Sequence, residues 1–175
     1  GAAESTIGGA ALRAEGARRT HIDPVCGNGA TDDPSFGVVI ESGSTQYHIS
    51  ADPQRKVLLS QKRRTATDRL RLMQEDGLYI NADTAAEALM KAEATLAYLE
   101  LFAADIGAEM ASLVGDNTSE QAVYDSFKAD VSSARSAFAT LRKEVRAAMD
   151  ELSAARAAEA IAAAEEEKVG ASARP

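Results

Sequence analysis

The chain of 175 residues carries 27 acidic and 19 basic side chains, and its formal net charge of -8 argues against nucleic-acid binding over the whole surface. Aromatic residues make up 5% of the composition and Trp is absent, so we expect a thin core built from helix contacts. No run of about 18 apolar residues is present, which argues against a membrane-spanning helix. A single cysteine permits no intrachain disulfide bond.

Residues 1–35 are rich in Gly, Ala, Arg, Thr and Asp and show no hydrophobic period. This composition predicts an extended N-terminal arm, because a segment with so few large aliphatic side chains cannot bury enough surface to order itself. We therefore expect the arm to cross to a neighbouring subunit. Its small-residue start and loop-like composition favour an exported protein, either periplasmic or extracellular.

The sequence of residues 36–82 predicts a small region of β and helical structure. Two β-rich runs, Phe36–Glu41 and Thr45–Ser50, flank a Ser-Gly-Ser turn and predict a β-hairpin whose free edges could accept strands of another chain. Asp52 followed by proline is typical of a helix N-terminus. The next stretch, residues 56–75, is expected to form either a strand and then a helix, or a helix throughout.

Seven basic side chains lie between residues 55 and 71, with Asp68 as the only acid among them. Such a cluster could bind phosphates, acidic lipid headgroups or nucleic acid. No aromatic residues are interleaved for base stacking, so we expect it to contact acidic side chains of a partner subunit, such as the Glu165–Glu167 run of another copy. This basic partner-contact patch comprises Arg55, Lys56, Lys62, Arg63, Arg64, Arg69 and Arg71.

From Asp83 onward the sequence predicts a long antiparallel helical hairpin. Apolar residues recur in steps of four and three through two segments, which is typical of a coiled-coil seam. The short connection, with Gly115 in a left-handed position, makes the helices antiparallel neighbours, and Asp83 and either Thr118 or Ser119 are predicted to cap them. The predicted seam residues are Leu89, Leu96, Leu99, Ile106, Met110, Leu113, Phe127, Val131, Phe138, Leu141, Val145 and Leu152.

The two apolar patterns also predict a register. If Leu113 faces Tyr124, the residue numbers of every facing pair sum to 237, so that Leu99 meets Phe138. No pair then places a charge in the seam, and several pairs set a large residue against a small one, which fills a close-packed layer.

The flanks of the hairpin carry different chemistry. On one side the register brings Glu93 near Arg142 and Glu100 near Arg135, pairs that each favour this register by about 0.2–1 kcal/mol. The other side is apolar around Phe102, which predicts that it receives a third element.

Beyond Leu152 the second helix is expected to overhang its partner by roughly 20 Å. The predicted fold class is mainly α with a small β element: a long antiparallel helical hairpin with a coiled-coil seam over residues 83–163, plus an N-terminal arm and a β-hairpin. The predicted divisions are the arm over 1–35, the small β and helical region over 36–82, the helical hairpin over 83–168 and a frayed tail over 169–175.

His21, Cys26 and His48 are the only soft metal ligands in the chain. Three ligands would suffice for an open zinc or copper site, but they lack a ligand-spacing motif. A catalytic Cys26 would need one of the histidines as a base, and a free thiol in a turn is the favoured interpretation. No pair of acids, triad or phosphate loop is recognisable, so we predict no catalytic, cofactor-binding or metal-binding residue and no enzymatic activity.

Together these features predict a non-enzymatic structural subunit of a homo-oligomeric or multi-protein, extracytoplasmic assembly. Its partners would be copies of itself or other protein subunits, contacted through the arm and the β edges. One alternative is an adaptor or chaperone-like module whose apolar flank receives client helices. A lower-ranked alternative is an amphipathic helical protein on a lipid or granule surface.

Overall fold

The computed structural model describes residues 1–26, 41–42, 45–46, 49 and 52–174. Within these residues the fold consists of four long helices and two short helical segments. In chain order the helical elements are α1 (Ala2–Ala17), a π-helical turn (Arg18–Ile22), α2 (Asp23–Cys26), α3 (Pro53–Leu78), α4 (Ala85–Met110) and α5 (Thr118–Ser172).

The predicted N-terminal arm is wrong, because residues 2–26 are helical throughout. α1 buries Ile7 together with Ala10, Ala11 and Ala14 on one face. Small side chains allow the backbones of two helices to approach closely, and a Cβ added at Gly77 of α3 would lie 3.3 Å from the Ile7 side chain. The segment therefore orders itself inside its own fold and does not require a neighbouring subunit.

A π-helical turn joins α1 to α2. Its closing hydrogen bond runs from the N–H of Asp23 to the carbonyl of Arg18, one residue more than in an α-helix. Pro24 follows directly, and proline has no N–H to donate and would meet the carbonyl of Thr20 in a regular α-helix. The wider turn accommodates this proline without ending the helix.

The predicted fold class with a β element is also wrong, because the fold is helical. Described β pairing is confined to the two-residue segments β1 (Glu41–Ser42) and β2 (Thr45–Gln46). Glu41 pairs with Gln46 and Ser42 with Thr45, which is too short to provide sheet edges for partner strands. The other residues of the predicted strands lie outside the described part of the chain, apart from Ile49, which is buried.

Contacts between α3 and its neighbours show that both pairings are antiparallel. Near the start of α1, Ile7 lies beside Gly77, whereas Asp23 at the far end contacts Arg63. Between α3 and α4, Arg55 contacts Glu109. Further along α3, Lys62 contacts Asp105, which lies earlier in α4. α3 is thus the third element that covers the apolar flank of the hairpin.

α5 closes the ring of helices. It runs antiparallel to α4, since Lys128 donates to the carbonyl of Leu113 near the turn and Arg156 donates to the carbonyl of Ala82 at the opposite end. It also runs antiparallel to α1, where Arg13 contacts Glu144 and the π turn lies near residue 130. The result is an up-down-up-down four-helix bundle in which each long helix has two antiparallel neighbours.

The predicted seam lies in the core of this bundle. Ten of its twelve residues are buried, while Leu113 and Leu152 at its two ends are partly buried. A Cβ added at Gly107 would lie 3.7 Å from Val131, next to the predicted pairing of Ile106 with Val131. Burial and helix direction therefore agree with an antiparallel seam, and the exact register of facing pairs stays a prediction.

One of the two predicted flanking ion pairs is present. Arg142 Nε lies 2.6 Å from Glu93 Oε1, as predicted. Glu100 contacts Arg142 at 3.3 Å instead of Arg135, whose side chain is exposed. The predicted pair of Glu100 with Arg135 is wrong, because the guanidinium of Arg142 contacts the carboxylates of both Glu93 and Glu100.

The helix ends follow local side-chain chemistry, with different capping residues from some of those predicted. Asp52 accepts a hydrogen bond from the N–H of Gln54, as predicted for the start of α3. Asn117 caps α5 by accepting from the N–H of Glu120, so the prediction of Thr118 or Ser119 is wrong. The N-cap of α4 is Thr84 and not Asp83. α5 stays helical to Ser172, beyond the predicted end at residue 168.

Gly115 is required by a close approach and not by a left-handed conformation. A Cβ at this position would lie 2.3 Å from the backbone nitrogen of Gln121, closer than any side chain tolerates. The Gly115 N–H donates to the Gln121 side chain at 2.9 Å. The turn between α4 and α5 is therefore folded tightly onto the first turn of α5.

Replacing Leu99 by Ala should lower the free energy of unfolding by about 2–5 kcal/mol, because it opens a cavity in the buried seam. Leu12 on α1 is 72% exposed, so Leu12→Ala is the matched control and should change it by less than about 1 kcal/mol. Chemical unfolding of the two variants measures the difference. Equal effects would mean that the seam is not the core.

Candidate functional site

The seven residues of the basic partner-contact patch do not form one surface. Each step along a helix turns the side chain by about 100°, so consecutive basic residues point in different directions. Lys62 Nζ lies 2.6 Å from Asp105 on α4, and Arg69 stacks over the ring of Tyr98 at 4.4 Å. The structure leaves Arg64 and Arg71 exposed and Lys56 half-buried.

Arg63, at the centre of that sequence cluster, is a core residue with 1% of its surface exposed. Its Nη2 lies 2.8 Å from Asp23 Oδ1, and Arg18 Nη1 contacts the same oxygen at 3.2 Å. Arg18 also binds Glu15, a hydrogen bond that raises the pKa of Arg18 and lowers the pKa of Glu15. This buried ion network joins α1, α2 and α3, and a partner subunit cannot reach its central guanidinium.

Asp23 and Arg18 were not identified as important by sequence reasoning. The spacing of Arg18 and Asp23 is unremarkable for a helix, and their partner Arg63 lies 40 residues further along the chain from Asp23. Only the packing of α1 on α3 brings the three groups together.

Replacing Asp23 by Asn should lower the free energy of unfolding by about 3–5 kcal/mol, because two buried guanidinium groups lose their shared carboxylate. Asp68, whose side chain is exposed and lies 3.8 Å from Arg71, provides the matched control. Asp68→Asn should change stability by no more than about 1 kcal/mol. A small effect of Asp23→Asn in urea unfolding would contradict the structural role of the network.

The structure describes two of the three candidate metal ligands, His21 and Cys26. His21 Nδ1 lies 2.9 Å from Asp130 Oδ1, the Cys26 side chain is fully buried, and His48 lies outside the described residues. Within the described ranges there is no group of three His, Cys, Asp or Glu side chains that could hold a metal ion. Burial raises the pKa of the Cys26 thiol to about 12, so it stays protonated near neutral pH and is not poised as a nucleophile.

The Cys26 thiol should resist thiol reagents at pH 8 until the protein unfolds. Its pKa is about 12 when folded against an ordinary value of 9.0, so above pH 9 the unfolded chain releases this proton first. The buried, protonated thiol makes its full contribution to the free energy of unfolding below pH 9. This contribution declines as the pH rises towards 12. Unfolding from pH 8 to 10.5 should show a steeper decline for wild type than for Cys26→Ala, and equal slopes would contradict the burial.

The most exposed element of the described structure is the distal part of α5. Residues 153–174 are all exposed, and the helix projects about 30 Å beyond Leu152. Two large apolar residues on it, Ile161 and Val169, are 63% and 69% exposed. The acidic run Glu165–Glu167 lies between them. We call residues 153–172 the projecting arm.

Two grooves flank the base of the projecting arm on either side of Leu152. One, of about 480 Å³, is lined by the first residues of α1, the link before α4, and Ala148, Leu152 and Ala155 of α5. The other, of about 230 Å³, lies between α4 and α5 and includes Met90 and Arg156. Both are largely apolar, which makes this end of the bundle the candidate interaction site.

Comparison with known proteins gives no family assignment. No family model matches the chain, and no curated protein or solved structure is significantly similar to it. In the described part of the chain, every helix falls short of the combined length and apolarity needed to cross a membrane.

Proposed function

We propose that the protein is a non-enzymatic structural subunit of an assembly, and that the projecting arm is the element through which it joins other subunits. The observation that carries this proposal is the projecting arm itself, residues 153–172 of α5, in which every residue is exposed. α1 packs inside its own fold, and β1 and β2 are too short to offer edges to partner strands. We therefore assign to α5 the subunit contacts that the sequence had predicted for those two regions.

The chemistry of the arm supports a role in contact with another protein surface. The alanine-rich arm is kept helical mainly by helix propensity, because in the described structure it gains little from packing on the bundle. The exposed Ile161 and Val169 offer apolar contacts, and the Glu165–Glu167 run offers charge for a basic partner surface. A partner that covers the arm would supply the tertiary contacts that the bundle does not.

A second candidate is an adaptor or chaperone-like module. The observation that favours it is the pair of apolar grooves at the base of the arm, which could receive one client helix. An adaptor would be a monomer or dimer in solution, whereas a structural subunit would build larger species.

Light scattering at several protein concentrations tests the proposal. The full chain should form species larger than a dimer as concentration rises, and a chain ending at Leu152 should not exceed a dimer. In the described structure the arm is exposed along its whole length and is bonded to the bundle through Arg156 and the carbonyl of Ala82, so the shortened bundle should keep its thermal midpoint within a few degrees.

A full-length variant that combines Ile161→Arg with Val169→Arg should show the same loss of large species without any change in length. Leu12→Arg, on an equally exposed site of α1, is the control and should assemble as wild type does. A full-length protein that never exceeds a dimer would reject the structural role and favour the adaptor.

A further inference from the structure

α4 is apolar on the face that points away from the bundle as well as on the faces that pack inside it. Met90 and Leu101 are 61% and 64% exposed, and Ala94 and Ala108 are also exposed. An apolar stripe on an outward face is typical of a contact surface, and this one has no cover among the described residues. The α4 outer stripe consists of Met90, Ala94, Ala97, Leu101, Ala104 and Ala108.

The spacing of the α4 outer stripe follows the same four-and-three pattern as the buried seam, which is typical of a helix that packs along a second helix. From Met90 to Ala108 the stripe is about 27 Å long. At Met90 the stripe meets the groove that Met149 and Leu152 of α5 also line, so the apolar surface continues from α4 onto α5.

The stripe is complementary to itself when two copies are antiparallel. A two-fold axis at the level of Leu99 places Met90 opposite Ala108 of the other copy, and Leu101 opposite Ala97. The remaining stripe residues, Ala94 and Ala104, then face each other. All six positions are paired, and each large side chain meets an alanine, which packs a layer without a void or a clash.

The charges beside the stripe fit the same arrangement. The Arg135 guanidinium is exposed and, among the described residues, has no ion-pair or hydrogen-bond partner. In the antiparallel pair it comes within one helical turn, about 6 Å along the axis, of Glu100 of the other copy. Two such contacts, related by the two-fold axis, would balance the two Glu100 carboxylates that meet near it.

We propose that the α4 outer stripe is the contact surface between two copies of this chain, paired antiparallel about Leu99. The inference rests on the proposed function in taking a copy of the chain as the partner, but it does not depend on the projecting arm. The contact of two helices alone buries less than the roughly 1,200 Å² of a standard interface, so the dimer should dissociate on dilution.

Cysteine cross-linking tests the register. The mixture of Ala94→Cys and Ala104→Cys proteins should form a disulfide-linked dimer on mild oxidation, because these positions face each other. Each variant alone should not, since its two cysteines lie about 15 Å apart along the axis, beyond disulfide reach. Wild type, with Cys26 buried, and Leu12→Cys, exposed on α1, are the controls.

Light scattering tests the surface itself. The full-length double variant Ile161→Arg, Val169→Arg removes the contacts of the arm and should reach the mass of a dimer at high micromolar concentration. Adding Leu101→Lys to it should keep the protein at the monomer mass of about 18.4 kDa with its helical circular dichroism unchanged. Adding Leu12→Lys instead is the matched control and should leave the dimer intact.

The failures of the two proposals can be told apart. If the chain ending at Leu152 still dimerises and cross-links, the stripe is the interface whatever the arm does. A monomer at every concentration, a dimer that Leu101→Lys leaves intact, or a mixture that cross-links no better than Leu12→Cys would overturn the inference. If wild type forms larger species while the double variant Ile161→Arg, Val169→Arg stays a monomer, the inference is overturned and the role of the arm stands.

Discussion

The packing of α4 against α5 along one antiparallel seam is the interaction on which the rest of the structure depends. It buries the largest side chains of the core, among them Phe138 and Leu96, and it fixes the two helices on which α1 and α3 lie. The turn at Gly115 tolerates no side chain, because the chain there folds closely onto the first turn of α5. The bundle is completed by adding α3 to α4 and α1 to α5.

A buried charge network controls how α1 joins this frame. Asp23 is shared by Arg18 and Arg63, and these groups come from three helical segments. Apolar alanines give α1 little directional preference, since small side chains pack in several registers at similar cost. A charged pair in the core is costly when separated, so it disfavours registers that separate it. The specificity of the α1 contact thus comes from polar groups in an otherwise small-residue interface.

The surface of the bundle has regions where charged side chains are paired within the chain and regions where aliphatic side chains are exposed. Most basic side chains of α3 are used within the chain, against carboxylates such as Asp105 and Glu109. By contrast, the projecting arm and the α4 outer stripe expose aliphatic side chains without cover in the described structure. Much of the charge on α3 therefore stabilises the monomer, whereas these two surfaces leave aliphatic side chains exposed to solvent.

The sequence by itself determined the α4–α5 seam, because a sustained apolar period indicates which side chains share a face. It also determined the cap at Asp52, because capping depends on neighbouring residues alone. Tertiary structure alone decided the fate of residues 1–26, whose alanine stripe carries too little hydrophobic signal to distinguish a packed helix from a flexible arm. It also placed Arg63 in the core beside Asp23. A charge cluster in sequence does not state which way each side chain points, since that depends on which helix packs against it.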